Sequence, residues 1–280
     1  MKKKNRDKIF AYVILVAVGF LMIYPLIWLF FAAFKSNQEL FGKMALLPER
    51  FSFDSFKNGW KGSGQFTYRT FYINTFKLVV PTVVFTVVST GIVAYGFARF
   101  KFPGKKILFL LMISTMMLPD SVIVIPRYVA FNKFGWVDSY MPFWMPALLA
   151  CYPFFIFMQI QFLRGIPREL DESACIDGCN PFMTYIKVLL PLMKPAVFSV
   201  VIFQTLWRWN DYFNNLIYIS SVKNYTLSLA LKMSIDGQGS MTPWNQVLAM
   251  SFVSMIPPIL LFFFAQNYFV EGITAGGIKG

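Results

Sequence analysis

Long apolar runs separated by shorter polar segments make up most of the chain. A helix needs about 20 mainly apolar residues to cross a bilayer, and six runs reach or approach that length. The pattern therefore predicts an all-α polytopic membrane protein with a single transmembrane domain over residues 1–280. The predicted spans cover about residues 9–34, 74–98, 107–126, 142–162, 195–220 and 247–269.

The first apolar run, Ile9 to Phe34, follows five basic residues and has two interpretations. A secretory signal peptide has an apolar core of about 7 to 15 residues and a cleavage site with small residues. This run is longer, and FFAAFKS offers a poor cleavage site. The sequence therefore favours an uncleaved first helix.

The basic residues of the short loops indicate the orientation, because cytoplasmic loops of membrane proteins are enriched in Lys and Arg. Residues 99–106, RFKFPGKK, carry four basic side chains in eight, and the first eight residues carry five. Residues 35–73 carry six basic residues and three acidic ones, but spread over a much longer segment. The high density of basic residues in the two short segments therefore predicts that both termini are cytoplasmic.

A polar island, residues 163–194, separates the fourth and fifth predicted spans. Pro167 and an acidic first turn suit the start of a helix, and Gly178 suits a left-handed cap at its end. Pro181 can begin a second helix that continues to Leu190. The island is thus predicted to be a cytoplasmic pair of short helices, which either docks a partner or only covers the bundle.

Composition excludes several classes of function. The chain is 57% hydrophobic and 14% charged, so its net charge of +13 fits basic cytoplasmic loops better than a nucleic-acid surface. No histidine is present, which removes histidine-dependent catalysis and histidine zinc motifs. The nearest match to a P-loop, Gly104-Lys105-Lys106, has Arg99 and Lys106 where glycine and a hydroxyl residue are needed. We expect no catalytic site, no metal and no cofactor, and three reduced cysteines: Cys151, Cys175 and Cys179.

The fifth predicted span contains polar and ionisable residues at membrane depth. Such groups are costly in a bilayer and usually face a bundle interior or a water-filled path. Amide, carboxylate and aromatic side chains also suit a hydroxyl-rich ligand. The alternative is a local ion pair between two of them, three residues apart. The candidate substrate-pathway residues are Arg208, Trp209, Asn210, Asp211 and Asn214.

Several motifs together resemble a known family. Glu172-Ser173-Ala174, Gly178 and Val188-x-Leu190-Pro191 match the EAA loop of ABC importer permeases, with Ser173 and Val188 as small departures. The stretches AYGFARFKFPGKK, MMLPDSVIVIPRY, IPRELDESACIDG, WNDYFNNLI and YFVEGITAGGIKG are similar to carbohydrate-type permeases of the maltose-transporter kind, and to their six-helix subunit in particular.

The resemblance implies a type I importer in the cell (inner) membrane of a bacterium or archaeon. Its partners would be a second permease, giving a heterodimer, two cytoplasmic ATPases that use ATP and Mg, and an external solute-binding protein. The island would be the coupling helix pair that docks on the ATPase. The coupling residues carried over are Glu169, Glu172, Ala174, Asp177, Gly178, Leu190 and Pro191.

Other functions stay open from the residues alone. An ion-gradient-driven secondary transporter would need no docking loop, and an ABC importer could carry a polyol or a glycerol phosphate derivative instead of a sugar. An intramembrane enzyme is disfavoured by the lack of histidine and of paired carboxylates in the spans. The glycines of the terminal TAGGIKG predict a segment too flexible for a helix.

Overall fold

The computed structural model describes residues 2–42, 45–62, 65–236 and 242–277, and within these ranges the regular structure is helical. A π-helical segment covers Thr184–Leu189 and a 3₁₀ turn covers Val222–Asn224. The α-helices are α1 Lys2–Ala32, α2 Asn37–Gly42, α3 Asp54–Trp60, α4 Tyr68–Arg99, α5 Lys105–Met116, α6 Asp120–Lys133, α7 Met141–Leu148, α8 Pro153–Gly165, α9 Glu169–Ile176, α10 Pro181–Met183, α11 Leu190–Leu192, α12 Lys194–Trp209, α13 Phe213–Tyr218, α14 Leu227–Asp236 and α15 Trp244–Gly277.

Four helical stretches are long and apolar enough to cross a membrane: Lys8–Ala32, Tyr68–Arg99, Met141–Gly165 and Trp244–Gln266. Two further stretches are bent pairs. The axes of α5 and α6 differ by 104°, and those of Pro181–Leu192 and α12 by 77°. The described residues thus contain four spans, or up to six if each bent pair is one span.

Three predicted spans are interrupted in the structure. The run over 107–126 breaks before α6 because Pro119 is extended (φ −63°, ψ 138°) and restricts the residue before it. The run over 142–162 divides between α7 and α8, where Ala150 is left-handed (φ 55°). The run over 195–220 divides after Trp209, because the Asp211 carboxylate accepts the Asn214 N–H (3.1 Å) and starts α13 anew.

The helix α15 continues through most of the glycine-rich terminal segment, contrary to the sequence prediction. It reaches Gly277, and residues 278–280 lie outside the described part. A glycine costs a helix only about 1 kcal/mol relative to alanine. Extending an existing long helix also avoids the cost of nucleation, so TAGG can follow it.

The chain divides into two compact units, residues 1–70 with 230–256 and residues 71–229 with 257–280. In the first unit, Phe34 contacts the rings of Phe51, Phe53 and Phe56 at centroid distances of 5.1–5.6 Å. Most side chains of α1 from residue 8 to residue 30 are exposed, as expected of a helix that contacts lipid or a partner chain.

The second unit has a core in which α4 and α8 pack against the π-helical segment. Its fully buried members include Ala94, Ile160, Leu163, Leu189 and Met193. Small residues on α4 let the neighbouring helices approach closely. This core includes Leu189 and Met193 of the polar island and so packs the island against α4 and α8.

Polar side chains also join the helices of the second unit. The Gln159 amide on α8 donates to the Thr90 hydroxyl on α4 at 2.6 Å, and the Gln204 amide on α12 donates to the Thr86 hydroxyl at 3.0 Å. All four side chains are fully buried. Such interhelical bonds contribute about 0.6 kcal/mol each in membrane proteins, and they also fix the rotation of each helix about its axis.

Asp138 joins two loops of the second unit. Its carboxylate accepts the backbone N–H groups of Ser220 (3.0 Å) and Ser221 (2.7 Å) and the Ser221 hydroxyl. Its own N–H donates to the Tyr218 carbonyl at 2.7 Å. The Ser221 hydroxyl, followed by the two N–H donors, lowers the pKa of Asp138 below its usual value. The α6–α7 loop is thereby held to the segment before α14.

We predict that Asp138→Asn lowers the thermal midpoint in detergent at neutral pH. Because the carboxylate is partly solvated, we expect a loss of about 1 kcal/mol, or roughly 2–4 °C for a chain of this size. A lowered pKa adds stability that is present above about pH 4 and disappears as the pH falls through the folded-state value. The variant should therefore lose part of the wild-type pH dependence of stability below pH 4.

Asp120→Asn, at a side chain that is 87% exposed, is the control. Equal thermal midpoints for Asp138→Asn and wild type would contradict the prediction.

Candidate functional site

The helix α9 has acidic side chains on its exposed side and a buried alanine on the opposite side. Glu169, Asp171 and Glu172 occupy its first turn, where negative charge is favourable near the helix N-terminus. Ala174 is 4% exposed and faces inward, whereas Glu169 and Glu172 are exposed. The short alanine side chain lets the helix sit close to the bundle while its carboxylates stay available to a partner.

Gly178 ends α9 in a left-handed conformation with φ of 80°, as predicted from the sequence. The Gly178 N–H donates to the Cys175 carbonyl (3.0 Å) and the Cys179 N–H to the Ala174 carbonyl (2.9 Å), which together form a Schellman cap. A Cβ on Gly178 would meet nothing within 4 Å. The requirement for glycine is therefore conformational and not a matter of space.

The second helix of the island differs from the prediction of one α-helix through Leu190. The Asn180 side chain accepts the Met183 N–H at 2.8 Å and Pro181 occupies the first turn, as expected, but α10 gives way to the π-helical segment. Pro191 has no N–H, and its ring crowds the carbonyl of Lys187. The wider π turn leaves room for the proline ring. In this turn the Leu190 N–H donates to the carbonyl of Tyr185, five residues earlier.

The surface of the island combines apolar and acidic groups. Ile176 is 86% exposed and Phe182 is 65% exposed, and exposed Asp177 lies between them in the chain. Large exposed apolar side chains with charged neighbours are typical of protein interfaces. Of the predicted coupling residues, Glu169, Glu172, Asp177, Gly178 and Pro191 are exposed, Leu190 is half-buried and Ala174 is buried.

A second polar cluster lies around the break after α12. Arg208 and Asp211 form an ion pair at 2.7 Å, with side chains 15% and 8% exposed. The Asn214 amide donates to both Asp211 oxygens at 3.0 and 3.1 Å. The Arg208 guanidinium also lies over the rings of Phe143 and Tyr152, at 5.7 and 5.8 Å. The local pairing considered from the sequence is therefore present.

The structure brings only three of the five candidate pathway residues together. Trp209 is 6% exposed and packs edge-on against Phe76 at 5.2 Å. Asn210 is exposed, and its amide donates to the Leu206 carbonyl at 3.0 Å. A continuous helix over this stretch would bring all five side chains close together. The break after α12 instead gives Trp209 and Asn210 different surroundings from the other three.

Sequence reasoning missed Arg127 and Arg99. The Arg127 guanidinium donates to the Tyr218 hydroxyl (2.9 Å) and to the Asn214 side-chain oxygen (3.1 Å), which extends the Arg208–Asp211 cluster to α6. Arg99 contacts α9 and was considered only as a loop charge. The signal for Arg127 was a lone arginine in an apolar segment; nothing in the local sequence pointed to the contacts of Arg99.

The three cysteines are free, and the described residues contain no group of three His, Cys, Asp or Glu side chains suited to a metal ion. The candidate sites thus consist of an exposed docking element and a charge-balanced polar cluster. Neither contains a nucleophile paired with a base.

Comparisons with known proteins agree with this description. The chain is 30% identical over 266 residues to the arabinooligosaccharides transport system permease protein AraQ of Halalkalibacterium halodurans, covering 94% of this chain and 93% of AraQ. It is 29% identical to the sn-glycerol-3-phosphate transport system permease protein UgpE of Pectobacterium atrosepticum, covering 95% of each.

The fold matches a solved structure of a bacterial ABC transporter involved in the import of the acidic polysaccharide alginate. The TM-score is 0.85 at 22% identity, over 96% of this chain and 98% of that one. Residues 87–275 match the model of the family described as "Binding-protein-dependent transport system inner membrane component". The chain belongs to this family of membrane-spanning ABC importer permeases.

Proposed function

We propose that the chain is the permease of an ABC importer for a sugar or an oligosaccharide. An external solute-binding protein delivers the solute, and separate ATPase subunits hydrolyse ATP with Mg. This chain binds neither a cofactor nor a metal and has no catalytic site. Its partner in the membrane is a second, different permease, and both termini are cytoplasmic. The observation that carries the proposal is the exposed, rigidly capped helix α9.

The helix α9 is built to transmit movement from a partner. Its end is fixed by the Gly178 cap, and its inner side rests on Ala174 and the buried core. A rigid element on a packed base moves as a body and does not absorb displacement in its own backbone. Closure of an ATPase pair on α9 would therefore rotate the attached spans and open the pathway to alternate sides.

The proposed class of solute rests on similarity to proteins that are named for their solutes. One relative is named for arabinooligosaccharides, and the fold match is to an importer of alginate. Another relative is named for sn-glycerol-3-phosphate, so a glycerol phosphate or polyol solute is the second candidate. An ion-gradient mechanism would leave the exposed acidic and apolar face of the island without a partner.

The proposal predicts that the assembled complex couples ATP hydrolysis to uptake through Glu172. Charge reversal, Glu172→Lys, should weaken retention of the ATPase about tenfold or more, since charge-assisted hydrogen bonds contribute about 1.5–3 kcal/mol. Co-purification measures retention, and proteoliposomes with the binding protein measure stimulated hydrolysis. Asp120→Lys, another exposed acid, is the control. Uptake by the wild-type assembly that persists without ATP and follows an ion gradient would overturn the proposal.

We also predict that Gly178→Val abolishes uptake while the protein remains in the membrane. A β-branched residue at φ of 80° is strained by about 1–2 kcal/mol or more, which disfavours the cap and displaces the end of α9. Gly165→Val, at a glycine with ordinary φ and open space, is the control. Membrane content by immunoblot and uptake in vesicles are measured together; normal uptake by Gly178→Val counts against α9 as the coupling element.

The candidate solute path is tested most cleanly at Asn210, which lies outside the Arg208–Asp211 cluster, is exposed and pairs only with its own helix backbone among the described contacts. If it lines the solute path, Asn210→Ala should raise the KM for uptake severalfold at unchanged yield. Asp211→Asn would instead strand the Arg208 charge and destabilise the fold. Exposed Asn132→Ala is the control; unaltered uptake and solute-stimulated hydrolysis in Asn210→Ala would remove Asn210 from the path.

A further inference from the structure

We propose that Arg99 is a positioning residue that fastens α9 to the spanning helix α4, so that displacement of α9 is transmitted to this particular span. The inference rests on the proposed function, because it assigns the route by which the docking element moves the membrane domain. It concerns the contacts of Arg99 and Asp171, whereas the proposed ATPase contact is at Glu172, which also lines the cavity between α4 and α9.

Arg99 is the last residue of α4, and its side chain is only 8% exposed. One guanidinium nitrogen, Nη2, donates to the Ile166 carbonyl at 3.0 Å, just before α9. Another, Nε, lies 3.0 Å from the Asp171 carboxylate in the first turn of α9. The Nε–H is not directed at that oxygen, so this second contact is an ion pair and not a hydrogen bond. One side chain thus holds both the approach to α9 and its beginning.

Tyr95, one turn earlier on α4, holds the other end of the island. Its hydroxyl donates to the Pro181 carbonyl at 3.1 Å. Its ring stacks on Tyr185 at a centroid distance of 5.0 Å and an interplanar angle of 30°. The last two turns of α4 therefore contact the segment before α9, the first turn of α9, the start of α10 and the π-helical segment.

An open cavity of about 250 Å³ lies between α4 and α9. A void contributes no dispersion contacts to the residues that line it. Continuous packing therefore does not hold the two helices together at this point, and the Arg99 contacts assume more of that role. The lining residues are Tyr95, Arg99, Phe100, Arg168, Asp171, Glu172, Cys175, Cys179, Pro181 and Thr184.

The chemistry of arginine suits this role better than that of lysine. Through different nitrogens the guanidinium group donates to the Ile166 carbonyl and pairs with the Asp171 carboxylate, whereas an ammonium group is a compact point charge on a flexible stem. Removal of either charge would leave the other buried and unpaired, which is more damaging than removal of both. The contribution of Arg99 should therefore depend on Asp171.

The test measures solute imported per ATP hydrolysed, in proteoliposomes containing the full complex and the binding protein. We expect Arg99→Gln and Asp171→Asn each to lower this ratio at least fivefold while ATPase co-purification stays within twofold of wild type. Arg99→Lys should be intermediate, and the double variant no worse than Arg99→Gln alone. Exposed Lys106→Gln, at the start of α5 and outside the island, should match wild type.

Three outcomes would overturn the proposal: an unchanged ratio in Arg99→Gln, a loss that only parallels loss of the ATPase, or effects of the two single variants that multiply in the double variant. If Arg99→Gln does not reach the membrane, Arg99→Lys and Asp171→Asn provide the same comparison. An effect in Asp171→Asn with a wild-type ratio in Arg99→Lys would show that the two separate guanidinium contacts are not required and would also reject the assignment.

A second measurement works on the permease alone and so separates this proposal from the proposed function. Cys179 is half-buried and lines the cavity. In a Cys151→Ser/Cys175→Ser background it is the single thiol, and its alkylation rate by a maleimide reports whether α9 is held against α4. Arg99→Gln should raise this rate at least threefold and Lys106→Gln should not. Equal rates in all variants would reject Arg99 as a fastening residue even if the complex hydrolyses ATP.

Discussion

The structure depends on one constraint: polar groups within a bilayer must find partners inside the protein, because lipid offers none. On α4, the hydroxyls of Thr82, Thr86 and Thr90 each donate to the carbonyl four residues earlier. Two of them then accept from Gln159 and Gln204 on neighbouring helices. Because the Thr86 and Thr90 hydroxyls serve both their own helix and another, α4 becomes the element around which α8 and α12 are oriented.

The same constraint explains where the spans are interrupted. After α12 the backbone turns at Asn210, and the Asp211 carboxylate replaces a helical acceptor while it also neutralises Arg208. Irregular backbone at membrane depth is tolerated where side chains complete its hydrogen bonding. The cluster that could line a solute path is therefore also the cluster that permits the break. The charge there cannot be removed without disturbing the helix geometry.

Features set by local chemistry could be predicted from the sequence, and those set by distant neighbours could not. The left-handed Gly178 and the first-turn position of Pro181 follow from residues beside them in the chain. The surroundings of Trp209 depend on Phe76, which belongs to another helix, and the partner of Arg99 lies far along the chain in α9. Hydrophobic runs locate helices, but they carry no information on which polar side chains will meet across a bundle.

A docking element transmits force only if it is stiff and attached at a definite point. The Schellman cap and the buried Ala174 give α9 stiffness, yet stiffness alone would let the helix slide over an open cavity. α9 packs against the π-helical segment, and the final turn of α4 also reaches it through Arg99 and Asp171. If α9 docks the ATPase as proposed, its displacement would reach α4, which carries Thr86 and Thr90 and so orients α8 and α12. The path from the polar island to the membrane core is therefore short and continuous through a single helix.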